Sequence, residues 1–135
     1  MPSATLEHVN VTVTDPEATA HLLCALFDWR IRWQGASAMG GRTVHVGTDD
    51  AYVAVYTHDD TSNGAQPSSD ISGGLNHIGI VVEDLAEAQR RIEAAGFAAH
   101  NHADYAPGRR FYFNDHDGIE YEVVSYSSSR RQQDV

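Results

Sequence analysis

Two histidines occupy the same position in two similar stretches of the sequence. His8 lies in LEHVNVTVTD and His77 lies in LNHIGIVVED, 69 residues further along, and the aspartates that close the two stretches, Asp15 and Asp84, have the same spacing. In both stretches apolar residues alternate with other residues, a period of two that is typical of a β-strand. Each aspartate stands at the N-cap position of a predicted helix. The shared residue types, phase and spacing predict an internal duplication, with one imidazole on each of two equivalent strands.

A glutamate in the last predicted strand has the chemistry to complete a metal site with these histidines. In the strand predicted over residues 119–126, Tyr121 and Val123 are predicted to face the core, which places Glu122 on the opposite face. A carboxylate in the middle of such a strand is costly unless it is solvated, paired or bound to a metal. Two histidines and one carboxylate form a ligand set that leaves coordination positions open for a substrate. The candidate metal ligands are His8, His77 and Glu122.

The ordinary role of a strand histidine is that of a hydrogen-bonded or half-exposed side chain, and the eight histidines of the chain offer many chance combinations. The duplication favours the ligand interpretation for His8 and His77, because equivalent strands of a pseudo-twofold pair can aim equivalent residues into one shared cleft. His100 and His102, on one face of a predicted strand, form an alternative metal site that no carboxylate obviously supports.

Side chains on the third and fourth predicted strands are candidates for acid–base chemistry. Tyr52 and Tyr56 lie on one face of the fourth strand, where a phenol can hydrogen-bond a substrate oxygen or transfer a proton. Aromatic filling of the core is the alternative role for both. His45 on the third strand is a possible second base, and an exposed strand histidine is the alternative there. We predict these three residues as catalytic candidates.

The loop predicted at residues 103–108 provides candidates for substrate contact. Tyr105, Arg109 and Arg110 lie in this loop or directly after it. An arginine can clamp a carboxylate through two parallel N–H bonds, whereas an ordinary surface charge is the alternative for this pair. We predict Tyr105 and Arg109 as substrate-binding residues.

The chain is predicted to form a single α+β domain of two βαβββ modules. The first module, residues 5–57, has strands at 5–14, 29–33, 43–46 and 51–57 and a helix that begins at Asp15-Pro16 and ends near Asp28. The second module, residues 74–126, has strands at 75–83, 97–102, 109–114 and 119–126 and a helix at 85–95. Residues 58–73 are polar and without periodicity, which predicts a linker between the modules, and residues 127–135 are predicted to form a frayed tail.

Composition limits the classes of partner. The formal charge of the 135-residue chain is −10, with nine arginines and no lysine, which argues against nucleic acid and anionic membranes as partners. No apolar run approaches the roughly 20 residues of a membrane span, and no signal peptide is evident, so a cytoplasmic location is expected. Cys24 is the only cysteine; among leucines it is predicted to be a small core residue rather than a nucleophile.

Three stretches resemble the vicinal oxygen chelate superfamily, which includes glyoxalase I, extradiol dioxygenases, fosfomycin-resistance proteins, methylmalonyl-CoA epimerase and bleomycin-resistance proteins. They are LEHVNVTVTD, LNHIGIVVEDLAEAQRRIEAAGF and FYFNDHDGIEYEVV, and the resemblance covers residues 5–126. It implies paired βαβββ modules whose mixed sheets curl around a shared cleft. There a divalent metal, which could be Fe(II), Mn, Ni or Zn, chelates the oxygens of a small-molecule substrate. The resemblance also implies a homodimer, with metal ligands from one chain or from two.

Carried over to this sequence, the resemblance assigns the first-strand, fifth-strand and last-strand ligands to His8, His77 and Glu122. The fourth family ligand falls on Ala54, which can neither ligate a metal nor move a proton, although it borders the pocket. We therefore expect no glyoxalase I activity. A second departure is His116, which stands where the family usually has proline and is interpreted as a turn variant.

The function that the resemblance favours is a metal-dependent enzyme with dioxygenase or lyase/isomerase chemistry. The rival is a metal-free binding protein of the bleomycin-resistance kind, which holds its ligand between aromatic residues. A metal-dependent antibiotic-modifying transferase is a third possibility, but the sequence shows no basic patch for an anionic phosphonate.

Overall fold

The structure, a computed structural model, describes residues 2–37, 40–59, 61, 68–105 and 108–126. The chain divides into two compact units, Met1–Asn63 and Gly64–Val135. The first unit contains β1 (His8–Thr12), α1 (Pro16–Phe27), β2 (Arg30–Ala36), β3 (Arg42–Gly47) and β4 (Tyr52–Thr57). The second contains a short 3-10 helix (Ser68–Asp70), β5 (Ile78–Val81), α2 (Leu85–Ala94), β6 (His100–Tyr105), β7 (Gly108–Asn114) and β8 (Glu120–Ser125). The predicted α+β class with two βαβββ modules is confirmed.

The first unit is a four-stranded sheet with one helix on one face. The strand order is β1-β4-β3-β2; β1 and β4 run parallel, and the other neighbours are antiparallel. Helix α1 packs against β3 and β4, so alternate strand residues are buried beneath it. The core formed in this way consists of Val13, Ala20, Leu23, Leu26, Val44, Val46, Val53 and Val55, each at most 5% exposed. The opposite face of the sheet carries the polar and aromatic residues.

The second unit repeats this arrangement with the strand order β5-β8-β7-β6 and a parallel β5–β8 pair. Its core is more aromatic, because Phe113 stacks on Tyr121 with ring centroids 5.0 Å apart and Phe111 is fully buried beside them. Ile92 on α2 is also fully buried. The predicted orientation of Tyr121 and Val123 toward the core is therefore confirmed, which leaves Glu122 on the opposite face of β8.

Both helices begin at the aspartates that the sequence identifies. The Asp15 side chain accepts a hydrogen bond from the Ala18 amide (3.2 Å), and the Asp84 side chain accepts one from the Glu87 amide (3.0 Å). Helix α1 ends at Asp28, which has a positive φ of 58°, close to the predicted end. Among the described residues, no helix is both long and apolar enough to cross a membrane.

The strand registers confirm that the two units are repeats. In the first unit Asn10 pairs with Ala54, and in the second unit Gly79, 69 residues after Asn10, pairs with Glu122. Ala54 and Glu122 are therefore equivalent positions on equivalent strands. The sequence alignment of the two modules, which placed Ala54 opposite Glu122, therefore agrees with the strand pairing in the structure.

Four strand predictions are wrong in their bounds by more than one residue. The first strand is His8–Thr12 rather than 5–14, and the fifth is Ile78–Val81 rather than 75–83. The second strand is Arg30–Ala36 rather than 29–33, and the sixth is His100–Tyr105 rather than 97–102. Residues 103–105 thus belong to a strand that pairs with β7, not to the predicted loop, because pairing across the β6–β7 hairpin compensates for their weak local preference. The described part of the predicted linker contains the 3-10 helix; residue 60, residues 62–67 and the predicted tail at 127–135 lie outside the described residues.

Each sheet has a β-bulge in its second strand. The pairing shifts by one residue between Ile31 and Trp33 on β2, and again between His100 and Ala103 on β6. In β6, Asn101 adopts a positive φ of 55°, which only a few residue types other than glycine tolerate. A bulge changes which face a side chain occupies, and this matters for the candidate site.

Candidate functional site

The second sheet brings a histidine and a carboxylate together on the face opposite α2. Nε2 of His77 lies 4.0 Å from Oε2 of Glu122, whose side chain is 16% exposed. The Tyr112 hydroxyl donates a hydrogen bond of 2.5 Å to the same oxygen, and Arg110 Nη1 lies 3.6 Å from it. A short O–H···O⁻ bond together with an ion pair fixes the carboxylate orientation. Glu122 is thus held in place rather than left as a mobile surface charge.

Each candidate histidine is oriented by the side chain of the residue before it. His77 Nδ1 lies 2.9 Å from Asn76 Oδ1, and His8 Nδ1 lies 2.8 Å from Glu7 Oε1. Because both partners are oxygen acceptors, Nδ1 donates in each case, and a neutral ring then carries its lone pair on Nε2. Hydrogen bonds of this kind orient metal-binding histidines and increase their basicity. The hydrogen bond also lowers the pKa of Glu7.

The His77–Glu122 pair fits part of a metal site. A lone pair on Nε2 facing a carboxylate oxygen at 4.0 Å makes no hydrogen bond. Imidazole nitrogen and carboxylate oxygen are ligands that divalent metals bind in proteins, so these two side chains would hold such an ion together with further ligands. His8 belongs to the first unit, and in the described part of the chain no group of three or more His, Cys, Asp or Glu side chains is placed to hold a metal. The three-ligand set therefore stays a prediction.

The corresponding face of the first sheet is aromatic. The Tyr52 ring stacks with His8 at a centroid distance of 4.8 Å and with His45 at 4.5 Å, and the Arg32 guanidinium lies over the same ring, 4.6 Å from its centroid. Trp33 follows His45 in this row, with ring centroids 5.0 Å apart. The first unit therefore presents a row of rings where the second presents an oriented carboxylate.

The titration of two of these groups is shifted in ways that bear on acid–base roles. Burial is the largest cause that lowers the pKa of His45, and the neighbouring His8 and Arg32 lower it further, so this imidazole is neutral near pH 7. Loss of solvent contact and the Glu7 carboxylate raise the pKa of Tyr52, whose hydroxyl donates to Glu7 Oε1 at 3.4 Å. At neutral pH the His45 imidazole is thus unprotonated and the Tyr52 phenol protonated.

The remaining predicted site residues lie in different surroundings. Tyr56 shares a face with Tyr52 and donates a hydrogen bond to the Gly40 carbonyl (3.0 Å), and Ala54 between the tyrosines is only 2% exposed. Arg109 is exposed and lies 3.8 Å from Asp104 on the neighbouring strand. The side chain of Tyr105 lies outside the described residues. None of these placements tests a role in substrate binding.

His100 and His102 do not share a face, which corrects the alternative metal site. His100 Nε2 lies 2.8 Å from Asn114 Oδ1, whereas His102 Nε2 lies 3.1 Å from Gln89 Oε1 on α2. The bulge at Asn101 rotates the second imidazole to the helix side of the sheet.

Sequence reasoning named Arg110 only as a possible clamp for a substrate carboxylate; it missed the contact of Arg110 with Glu122, the role of Tyr112, and the roles of Arg32 and Trp33. The signal for β7 was present: burial of Phe111 and Phe113 requires that Arg110 and Tyr112 face the other side, as Glu122 does. No comparable signal exists for Arg32, since the simple alternation of β2 would place it opposite Trp33.

These features define a class of protein: two tandem βαβββ units with candidate metal-ligand histidines at equivalent positions. The family model described as "Glyoxalase/Bleomycin resistance protein/Dioxygenase superfamily" matches residues 5–123, and the chain belongs to this superfamily. A search of the curated proteins finds no match.

Solved structures share the fold at low sequence identity. A glyoxylase/bleomycin resistance protein/dioxygenase domain from Frankia sp. EAN1pec is 20% identical with a TM-score of 0.77, over 92% of this chain and 93% of that one. The fosfomycin resistance protein FosX from Listeria monocytogenes, complexed with Mn(II) and sulfate, is 18% identical (TM-score 0.70; 98% and 99% covered). TnmS3, an antibiotic binding protein from Streptomyces sp. CB03234, is 16% identical (TM-score 0.68; 93% and 98% covered).

Proposed function

We propose that this chain is a metal-dependent enzyme of the superfamily that acts on a small oxygenated molecule. His8, His77 and Glu122 are the proposed ligands of one divalent ion. The observation that carries the proposal is the arrangement of two candidate ligands in the second module. Nε2 of His77 faces Glu122 at 4.0 Å, and a hydrogen bond from a neighbouring residue orients each of these side chains. The Mn(II) in the FosX complex supports a divalent metal, and Fe(II), Mn, Ni or Zn would suit this ligand set.

When bound, the metal would act as a Lewis acid that polarises substrate oxygens. Tyr112 keeps the Glu122 carboxylate in place through its 2.5 Å hydrogen bond. Arg110, 3.6 Å from the same oxygen and with a side chain that is 12% exposed, holds the carboxylate further through an ion pair. Positioning of the substrate oxygens is thus the contribution of the second sheet.

Proton transfer is the proposed contribution of the first sheet. Neutral His45 can accept a proton from a substrate carbon or oxygen, and Tyr52 can donate one to a developing oxyanion. Both tyrosine hydroxyls donate a hydrogen bond, but the one from Tyr56 to the Gly40 carbonyl (3.0 Å) is shorter than the one from Tyr52 to Glu7 (3.4 Å), which makes Tyr56 the weaker catalytic candidate. Both lyase/isomerase and dioxygenase chemistry are compatible with this set of groups.

A second candidate function is binding without chemistry. The row of rings around Tyr52 favours it, because aromatic side chains can hold a planar ligand without a metal. The likeness to TnmS3, described as an antibiotic binding protein, agrees with this alternative.

We further propose a homodimer, for which light scattering at micromolar concentration is the test; a monomer would contradict it.

Anaerobic reconstitution with Fe(II), followed by oxygen-uptake assays with a catechol panel, separates the candidates. Uptake coupled to ring cleavage would establish the dioxygenase. Tight binding of Zn or Ni without turnover of any catechol would favour a lyase or isomerase. Ligand binding of equal strength with and without metal, and no turnover, would favour the binding protein.

A further inference from the structure

The Trp33 indole is held in a fixed place at the edge of the first sheet. Trp33 lies on edge strand β2 and is 49% exposed, on the face that carries His45 and Tyr52. Its ring contacts His45 at a centroid distance of 5.0 Å and an angle of 49°. Exposure of a single tryptophan is unremarkable by itself. Two features distinguish this ring from an ordinary exposed tryptophan: its packing on Gly35 and the presence of Arg32 on the same face.

The indole of Trp33 packs on the backbone of Gly35. A Cβ atom at Gly35 would lie 2.9 Å from Cζ2 and 3.1 Å from Cη2 of Trp33, so a residue with a side chain would push the ring away. The six-membered part of the indole therefore covers the strand at Gly35. The ring lies against the sheet on this side, and a large part of its surface remains exposed to solvent.

The β2 bulge adds a cation to the same face. In a regular strand Arg32 would point away from Trp33, but the register shift between Ile31 and Trp33 lets both side chains reach this side of the sheet. The Arg32 guanidinium lies over the Tyr52 ring, and its Nη1 donates to the Thr48 carbonyl at 3.0 Å. A guanidinium has five N–H donors, so further donors remain to bind an oxygen anion.

We propose that Trp33 and Arg32 together bind a planar aromatic ligand that carries an anionic oxygen substituent, such as a carboxylate or a phenolate. The ring of the ligand stacks on the indole, and its anionic group pairs with the guanidinium. In a chain with a net charge of −10, this local cation favours an anionic ligand over a cationic one. The inference rests on the proposed function, which requires a small-molecule ligand, and it adds the chemical class of that ligand.

Calorimetry on EDTA-treated protein tests the site without the metal. The probes are 2-naphthoate, its saturated analogue decahydro-2-naphthoate, which is not planar, and the neutral 2-naphthamide. We expect 2-naphthoate to bind about five- to tenfold more tightly than either analogue, in the range of one stacking or charge-assisted contact. Trp33→Leu and Gly35→Ala should each lower its affinity to a similar extent, whereas Gln34→Leu, the matched control on the same strand, should not.

Arg32→Gln separates the charge from the stacking. This variant should bind 2-naphthoate no better than 2-naphthamide, with the affinity for the amide unchanged. Because the protein is free of metal in this assay, failure of the metal proposal leaves the result intact. Three results would overturn the inference: no probe binding by the wild type, equal binding of the saturated analogue, or a change of oligomeric state in Trp33→Leu without loss of affinity.

Discussion

Nε2 of His77 lies 4.0 Å from Oε2 of Glu122, and the groups around both atoms keep them facing each other. Asn76 Oδ1 accepts a hydrogen bond from Nδ1 of the imidazole, and the Tyr112 hydroxyl donates one to the carboxylate. Such hydrogen bonds around a pair of potential ligands are typical of metal sites, where outer partners fix the direction of the ligating atoms. The predictions below follow from this pair and from the groups that support it.

Tyr112→Phe should weaken metal binding while the fold is kept. The variant loses the 2.5 Å hydrogen bond that orients Glu122, and loss of such an outer partner lowers metal affinity about 10–100-fold. Competition titration against a chromogenic chelator measures the affinity. Tyr121→Phe is the matched control, because it loses a hydroxyl–carboxylate bond to Asp115 on the core side of β8. An equal loss of affinity in both variants would contradict the role of Tyr112.

His45 should make the metal-free protein less stable in acid. Burial lowers the pKa of His45 below 6.5, so between that value and its folded-state pKa the unfolded chain binds more protons than the folded one. The contribution of this residue to the free energy of unfolding therefore decreases as the pH falls below 6.5. Urea denaturation across this range should show a smaller pH slope for His45→Gln than for the wild type. An equal pH slope in the wild type and His45→Gln would contradict this prediction.

Asp115→Ala should destabilise the second unit. Asp115 Oδ1 accepts hydrogen bonds from the Asp117 and Ile119 amides at 2.9 and 3.0 Å, and Oδ2 accepts one from Tyr121 at 3.3 Å. Each donor left unsatisfied costs about 1–3 kcal/mol, so a decrease of at least about 2 kcal/mol in the free energy of unfolding is expected. Asp115→Asn keeps the Oδ1 acceptor and should lose less. Equal losses in the two variants would show that the turn does not depend on these bonds.

Native protein should have negligible glyoxalase I activity, because Ala54 stands where the second module has Glu122. Absence of a positioned base typically lowers a rate by about 10²–10⁴-fold. Ala54→Glu is expected to raise the isomerisation of the methylglyoxal–glutathione adduct, with some loss of stability because the position is 2% exposed. Ala51→Glu, at an exposed position just before β4, adds the same charge and should have no effect. Efficient turnover by the native protein would contradict this prediction.

Local patterns were sufficient to predict the repeat architecture. The helix caps at Asp15 and Asp84 and the core orientation of Tyr121 follow from residue type and alternation, which depend on a few neighbouring residues. The equivalence of Ala54 and Glu122 followed from aligning the two modules and agrees with the registers of both sheets.

The positions of bulges could not be predicted from alternation. Asn101 adopts a positive φ although it is not a glycine, so no glycine in the sequence indicates the bulge. The register shift at Arg32 depends on pairing with β3, a long-range interaction. These two bulges separate His100 from His102 and bring Arg32 to the face of Trp33. The error in the extent of β6 has another origin, because its last residues are held by the pairing of the β6–β7 hairpin.

Metal content tests the central claim most directly. The wild type and a triple variant (His8→Ala, His77→Ala, Glu122→Gln) are purified without chelator, loaded with a divalent metal, desalted and analysed for elements. The account predicts about one bound divalent ion per chain in the wild type at neutral pH, less as the pH falls and imidazoles become protonated, and none above background in the triple variant. Stoichiometric metal in the triple variant, or a wild type that holds none, would contradict it.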